Sequence, residues 1–170
     1  MHISNAAINN LIMGNQHIKM FKHEDCPGRR KLSAIRNAPE AQGVRRVSIL
    51  IGTGGLYVPQ EVCRGADGIM TGFAFIGALV EAYELFAAGK MEAVEDLYDI
   101  YLPLIRHEQQ IGFGLALRKE TLRRFGAHIC GASRVSGPAV DADNVAELED
   151  LFARSRTELE SIGKTVPNGI

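Results

Sequence analysis

A lysine at the end of an apolar segment is the side chain in this sequence that is best suited to covalent chemistry. Lys22 closes the segment Ile-Lys-Met-Phe-Lys, and the alternation of a β-strand would put it on the same face as Ile18 and Met20. A lysine desolvated by apolar neighbours loses its proton more easily, and the neutral amine can attack a carbonyl carbon to form an imine. Position alone is weak evidence, because a lysine at a strand end is more often a solvated charge.

Two glycine-rich segments follow Lys22. Residues 47–51 are apolar and lead into Gly52-Thr53-Gly54-Gly55, where the lack of side chains lets a backbone approach a ligand closely. Residues 65–72 form a second segment with a glycine at each end. Neither has the spacing of a phosphate-binding or dinucleotide-binding loop. A ligand loop and a tight strand-to-helix turn are therefore equally open interpretations of residues 52–55.

The apolar segments predict the elements that would position these residues. Residues 18–22, 47–51 and 68–71 are predicted strands, and residues 28–37 and 56–64 are long enough to be crossover helices between them. Strands connected in this way pair in parallel. Beyond residue 71 the pattern is helical, with a break at Gly89 and later helices over residues 114–125 and 144–162. At the front, Ser4 is a predicted cap for a short helix whose apolar residues are Ile8, Leu11 and Ile12.

Apolar residues recur at helical spacing after the third predicted strand. Two stripes are predicted to face the core: Ile76, Leu79, Val80, Tyr83 and Phe86, then Val94, Leu97, Tyr98, Tyr101 and Ile105. Their tyrosines are expected to be core residues. Lys19 is expected to reach solvent at the amino end of its strand.

Composition excludes several classes of function. The formal net charge of −1 provides no field for binding nucleic acid or an anionic membrane, and no apolar run approaches the ~20 residues of a spanning helix. We therefore expect a cytoplasmic protein. The three cysteines include no CxxC pair and are predicted to be buried or half-buried thiols, and the histidines have no metal-ligand spacing. No metal or cofactor is expected.

The order of these segments is similar to that of a known family. A strand ending in Phe21-Lys22, a strand ending at Gly52, and then Gly-Ala-Asp-Gly-Ile-Met-Thr over residues 65–71 resemble strands six, seven and eight of the dihydrodipicolinate synthase and N-acetylneuraminate lyase family. The similarity continues through Gly-Lys-Met-Glu-Ala at residues 89–93 and Leu-Pro-Leu at 102–104, to about Leu159.

The resemblance implies an α/β fold, the C-terminal part of a (β/α)8 TIM barrel followed by C-terminal helices. Residues 1–89 would be partial barrel strand–helix units, and residues 90–170 the C-terminal helical region of the same domain. About three parallel strands are too few to close such a barrel, which takes eight. The family's glycine-threonine-threonine-glycine loop and its proton-relay tyrosine belong to the first five strands, so Tyr57, near the loop at residues 52–55, is only a weak substitute.

The resemblance also implies a lyase or aldolase that forms a lysine Schiff base with a pyruvate-like 2-oxo acid. Lys22 matches the catalytic lysine, while Gly52 and Met70 match positions whose backbones face the substrate and the lysine. Family members commonly form homo-oligomers and need no cofactor for this step.

Departures from the family pattern affect the substrate. Residues 134–138 match only loosely the arginine and proline pattern that the family has near its C-terminal helices, and Gly52 is not followed by an acidic pair. His23, Glu24 and Asp25 also differ from the residues found after the lysine in the lysine-biosynthesis members. The substrate therefore stays unassigned. The alternative to an enzyme is a catalytically inactive remnant that keeps Lys22 by descent and has a structural or oligomer-contact role.

Overall fold

A computed structural model describes residues 2–127, 130–134 and 136–167. The chain divides into two compact units. The sheet unit runs to Gly72 and also includes Tyr83–Met91, and the helical unit comprises Phe73–Ala82 and the chain from Glu92 onward.

The sheet unit alternates helices and strands. Its elements are α1 (Asn5–Gly14), β1 (Met20–His23), α2 (Arg29–Gln42), β2 (Ser48–Ile51), a 3-10 turn (Thr53–Gly55), α3 (Val58–Val62) and β3 (Gly68–Ile69), and it includes the end of α4 (Ile76–Ala87). The Ser4 side chain caps α1 by accepting from the backbone of Ala7 at 3.2 Å, as predicted. The strands lie in the order β1-β2-β3 and both pairs are parallel. Parallel pairing is thus confirmed among the described residues.

The two faces of the sheet differ in burial. The register pairs Lys22 with Leu50 and Leu50 with Gly68, so these residues share one face, and a Cβ at Gly68 would press on the Leu50 side chain. That face is open: Met20 is 50% exposed and Leu50 is half-buried. The opposite face carries fully buried residues, His23, Ile49 and Ile51. One face is therefore a packed core and the other is left to solvent.

The amino-terminal edge of the sheet is held by one carboxylate. Asp67, just before β3, accepts from the backbone nitrogen of Ile49 at 2.8 Å and forms ion pairs with Arg36 of α2 at 2.6 Å and Arg46 at 2.5 Å. Burial acts to raise the pKa of the Asp67 carboxyl, but these three donors outweigh it and hold the pKa below its ordinary value. Asp67 thereby ties together three segments of the sheet unit.

The helical unit comprises α5 (Met91–Glu108), α6 (Gly114–Arg124) and α7 (Ala142–Ser161), with the first turns of α4. An aromatic cluster forms its core, with Phe75 in contact with Tyr101, Phe125 and Phe152 at ring-centroid distances of 5.5, 4.8 and 5.9 Å. Asp141 caps α7 in a reciprocal pair with Asn144. The break at Gly89 between α4 and α5 is confirmed, because Gly89 adopts a left-handed φ of 73° that favours glycine.

Several sequence predictions were wrong in detail. Cys26, Cys63 and Cys130 are all exposed, not buried, because each lies on a loop or at a helix end. The predicted stripe of α4 is largely exposed, and only Leu79 of that stripe is buried. Tyr83 is 36% exposed and its hydroxyl donates to the backbone of Asp67 at 2.8 Å, whereas Tyr98 and Tyr101 are core residues as expected. Leu11 of α1 is also exposed.

Element bounds shifted by a few residues. The second predicted crossover segment, residues 56–64, contains only the short α3. The first, α2, extends five residues past the predicted end at residue 37, to Gln42, with Pro39 inside it. His128 and Val135 fall outside the described residues. No helix in the described part of the chain is both long and apolar enough to span a bilayer.

Candidate functional site

The carboxyl ends of the three strands meet at one edge of the sheet, where backbone hydrogen bonds align them. Gly52 donates its backbone N–H to the carbonyl of His23 at 3.0 Å, and Met70 donates to the carbonyl of Ile51 at 2.7 Å. The three residues named by the sequence, Lys22, Gly52 and Met70, therefore follow or end neighbouring parallel strands. In barrels this edge is the one that carries active sites.

Lys22 projects from the open face of β1 and has an acidic partner there. Its Nζ lies 2.7 Å from Oε1 of Glu24, and the two side chains are 44% and 52% exposed. Met70, on the same open face, is itself 42% exposed, so apolar side chains do not enclose Lys22 within the described residues. The pair is thus a solvated amine and carboxylate in contact.

His23, between Lys22 and Glu24, fixes the backbone from the opposite face. Its ring is fully buried, Nε2 lies 3.0 Å from the carbonyl of Gly28, and its own carbonyl accepts from Gly52. Burial lowers the pKa of His23 below its ordinary value, so the ring is a neutral structural group near pH 7. Because His23 is anchored on the buried face of the sheet, the residues on either side of it, Lys22 and Glu24, are directed to the open face.

Gly52 lies directly under the Glu24 carboxylate. A Cβ at position 52 would overlap Oε1 and Cδ of Glu24, so the absence of a side chain gives the carboxylate its place beside Lys22. The sequence predicted that Gly52 permits a close approach, and the group that approaches it in this structure is Glu24. This role of Glu24 was not predicted from the sequence, although its position two residues after Lys22 was the available signal.

Asp25, the next acid along the chain, has different partners. It forms an ion pair with Lys31 and lies 3.3 Å from Nδ1 of His2. Hydrogen bonding to Lys31 is the main cause that lowers the pKa of Asp25. The two adjacent carboxylates therefore point in different directions. Glu24 lies on the open face beside Lys22, and Asp25 contacts residues near the start of the chain.

A second acidic group near this edge was also missed. Glu61 of α3 is only 2% exposed, and its Oε2 has no hydrogen-bond partner among the described residues. Burial raises the pKa of Glu61 to about 7, against an opposing effect of Arg29. A cavity of about 260 Å³ lies here, lined by residues 25–30, Tyr57 and Glu61. The signal for its burial was the position of Glu61 three residues after Val58 on an apolar helix face.

Tyr57, the weak substitute for a proton-relay tyrosine, stacks with Arg29, whose guanidinium carbon is 4.8 Å from the ring centroid. Its surroundings are therefore those of the Glu61 cavity. Across the described residues, no group of three or more histidine, cysteine, aspartate or glutamate side chains is arranged to hold a metal ion.

The arrangement defines a class of protein: a parallel α/β fold with a lysine amine at the carboxyl edge of the sheet. The chain is similar to the dihydrodipicolinate synthase from Rhodopseudomonas palustris, with 37% sequence identity and a TM-score of 0.86, over 89% of this chain and 50% of that one. It is similar in fold to the 4-hydroxy-tetrahydrodipicolinate synthase from Methylacidiphilum fumariolicum SolV, with 19% identity and a TM-score of 0.79, over 95% of this chain and 52% of that one. Neither the protein-family models nor the curated proteins gave a match.

These similarities confirm the resemblance to the dihydrodipicolinate synthase family. The chain spans about half the length of these two solved structures, which is consistent with the C-terminal part of such a protein. The fold is accordingly the C-terminal part of a TIM barrel, with three parallel strands and C-terminal helices in the described residues.

Proposed function

We propose that this chain carries the Schiff-base lysine of a lyase or aldolase, and that Lys22 is that lysine. The observation that supports the proposal is the place of Lys22, on the open face of β1 at the carboxyl edge of a parallel sheet. Gly52 and Met70, on the neighbouring strand ends, are proposed to present their backbones to the substrate and to the lysine.

The proposed substrate is a pyruvate-like 2-oxo acid. Its ketone carbon condenses with the Lys22 amine, and the resulting imine accepts electrons when a carbon–carbon bond is made or broken. Turnover also needs positioning and proton transfer, which each contribute large factors to an enzyme rate. We propose that strand–helix units outside this chain complete the barrel and supply the remaining groups, and that the complete protein is a cytoplasmic homo-oligomer.

The test is reductive trapping of the imine. The chain is incubated with pyruvate and borohydride, alone and together with a polypeptide that carries the part of the Rhodopseudomonas palustris relative that this chain does not match. Mass spectrometry of the complemented protein is expected to find the reduced adduct on Lys22 alone.

Lys22→Arg is the matched control, because arginine keeps the charge but cannot form the imine. Adduct on Lys19, Lys31 or Lys90 at the level of Lys22, or adduct that persists in Lys22→Arg, would contradict the assignment. Complemented protein that binds its partner half but forms no adduct would favour the inactive-remnant alternative.

A further inference from the structure

The contact between Lys22 and Glu24 has two opposite chemical consequences. A carboxylate 2.7 Å from an ammonium stabilises the charged form, and this alone would slow attack on a carbonyl. The same carboxylate is also within reach to accept the proton that the amine must lose. The surroundings of the pair determine which effect matters.

Three features position Glu24 for proton transfer. The buried His23 ring anchors the backbone between the two residues, Gly52 leaves the space that the carboxylate fills, and Asp25 is occupied by Lys31. Glu24 is also half exposed on the open face, so a 2-oxo acid that reaches Nζ meets the carboxylate at the same time. An ion pair that served stability alone would be expected to contribute little at this exposure.

We propose that Glu24 is a catalytic acid–base residue for imine formation at Lys22. The inference rests on the proposed function and adds a residue to it. Because Glu24 lies on the same chain, one part of the proton transfer would not depend on groups from the rest of the barrel.

The step is balanced in protons and bonds. The Glu24 carboxylate takes one proton from the Lys22 ammonium, and the neutral amine attacks the ketone carbon to form the carbon–nitrogen bond. A proton moves from nitrogen to the former ketone oxygen, which gives the carbinolamine. Protonated Glu24 then donates to the carbinolamine hydroxyl, the carbon–oxygen bond breaks, and water leaves. The products are a protonated imine, one water molecule and the Glu24 carboxylate.

The experiment measures adduct formation at single lysines in the 170-residue chain, treated with pyruvate and cyanoborohydride. Lys19 is an internal reference, since it is exposed at the start of the same strand segment. We expect the rate at Lys22 to exceed that at Lys19 by about 10-fold in the wild-type chain, and the ratio to fall towards one in Glu24→Gln. Asp25→Asn, which removes the same charge one residue further on, is expected to keep the ratio.

Chemical rescue separates catalysis from positioning. Added formate is expected to restore labelling of Lys22 in Glu24→Ala in proportion to its concentration, and to leave labelling of Lys19 unchanged. A purely structural role of Glu24 would give no such dependence.

The sign of the change decides the outcome. Faster labelling of Lys22 in Glu24→Gln would mean that the ion pair only holds the lysine in its charged form, and it would overturn the inference. A wild-type ratio near one would also overturn it. The proposed function is judged separately by the complemented protein, where adduct on Lys22 that is insensitive to Glu24→Gln would retain the lysine and reject the acid–base residue.

Discussion

The Glu24 carboxylate occupies the space that a side chain at Gly52 would need. Glu24 is flexible and half exposed, so it can move away from a new methyl group at little cost. Gly52 is buried, so we expect Gly52→Ala to lower the free energy of unfolding by about 1 kcal/mol, the typical effect of a single substitution. The Lys22 to Lys19 labelling ratio should nevertheless fall as it does in Glu24→Gln. Equal ratios in Gly52→Ala and the wild-type chain would contradict the close packing of residues 24 and 52.

The two faces of β2 should respond differently to truncation. Ile49 is 1% exposed and Leu50, its neighbour, is half-buried on the open face. Ile49→Ala is expected to cost about 2–5 kcal/mol through loss of buried contacts and formation of a cavity. Leu50→Ala should lower the free energy of unfolding by only about 1 kcal/mol, because the half-buried Leu50 side chain removes less apolar area from water than Ile49 does. Urea unfolding of both variants measures the difference, and similar midpoints would be inconsistent with a sheet packed on one face.

The open face should make the isolated chain associate. Met20 and Met70 expose apolar surface beside strand edges whose backbone groups have no partner strand among the described residues. We expect oligomers in sedimentation velocity at micromolar concentration, and fewer of them in the double variant Met20→Lys, Met70→Lys. Ile76→Lys is the control, since Ile76 is also exposed but belongs to α4. A monomeric wild-type chain would count against this prediction.

Glu61 should make stability depend on pH. Its pKa in the folded chain, about 7, lies above the ordinary value of 4.5, so folding favours the protonated form. The contribution of Glu61 to the free energy of unfolding is fully present below about pH 4.5 and is lost as the pH rises through 7. Because Glu61→Gln cannot ionise, the variant should gain on the order of 2 kcal/mol relative to wild type between pH 4.5 and 8.

The measurement for Glu61 is urea unfolding of both proteins across that pH range. Glu108 of the helical unit has a pKa raised in the same direction by burial, to about 7, so it contributes equally to both proteins and cancels in the difference. Parallel curves for the wild type and Glu61→Gln would exclude the predicted ionisation.

The parts of the fold that follow from local periodicity were predictable. Three parallel strands, their order along the chain and the break at Gly89 all appear in the apolar pattern, because period and turn residues are local properties. The exposure of Val80 and Tyr83 was not predictable from the stripe of α4. A stripe identifies a face that can be buried, but only tertiary packing decides whether it is.

The candidate site was predictable to a similar extent. The strand ends at Lys22 and Gly52 could be placed from the sequence, since parallel strands share a carboxyl edge. The pairing of Lys22 with Glu24 could not, because it depends on which rotamer two exposed side chains adopt and on the space above Gly52. The burial of Glu61 likewise depends on how α3 packs.

Asp67 and its three partners form a clamp at one edge of the sheet, and the candidate site lies at the other edge. The bonds of Asp67 to Ile49, Arg36 and Arg46 secure the strands at their amino ends, away from the edge that carries Lys22. The residues that form this clamp differ from the Lys22–Glu24 pair, so substitutions at the carboxyl edge leave the clamp intact. A library that varies residues 24, 52 and 70 should therefore retain a high fraction of folded members, and new specificities could be selected there without first stabilising the scaffold.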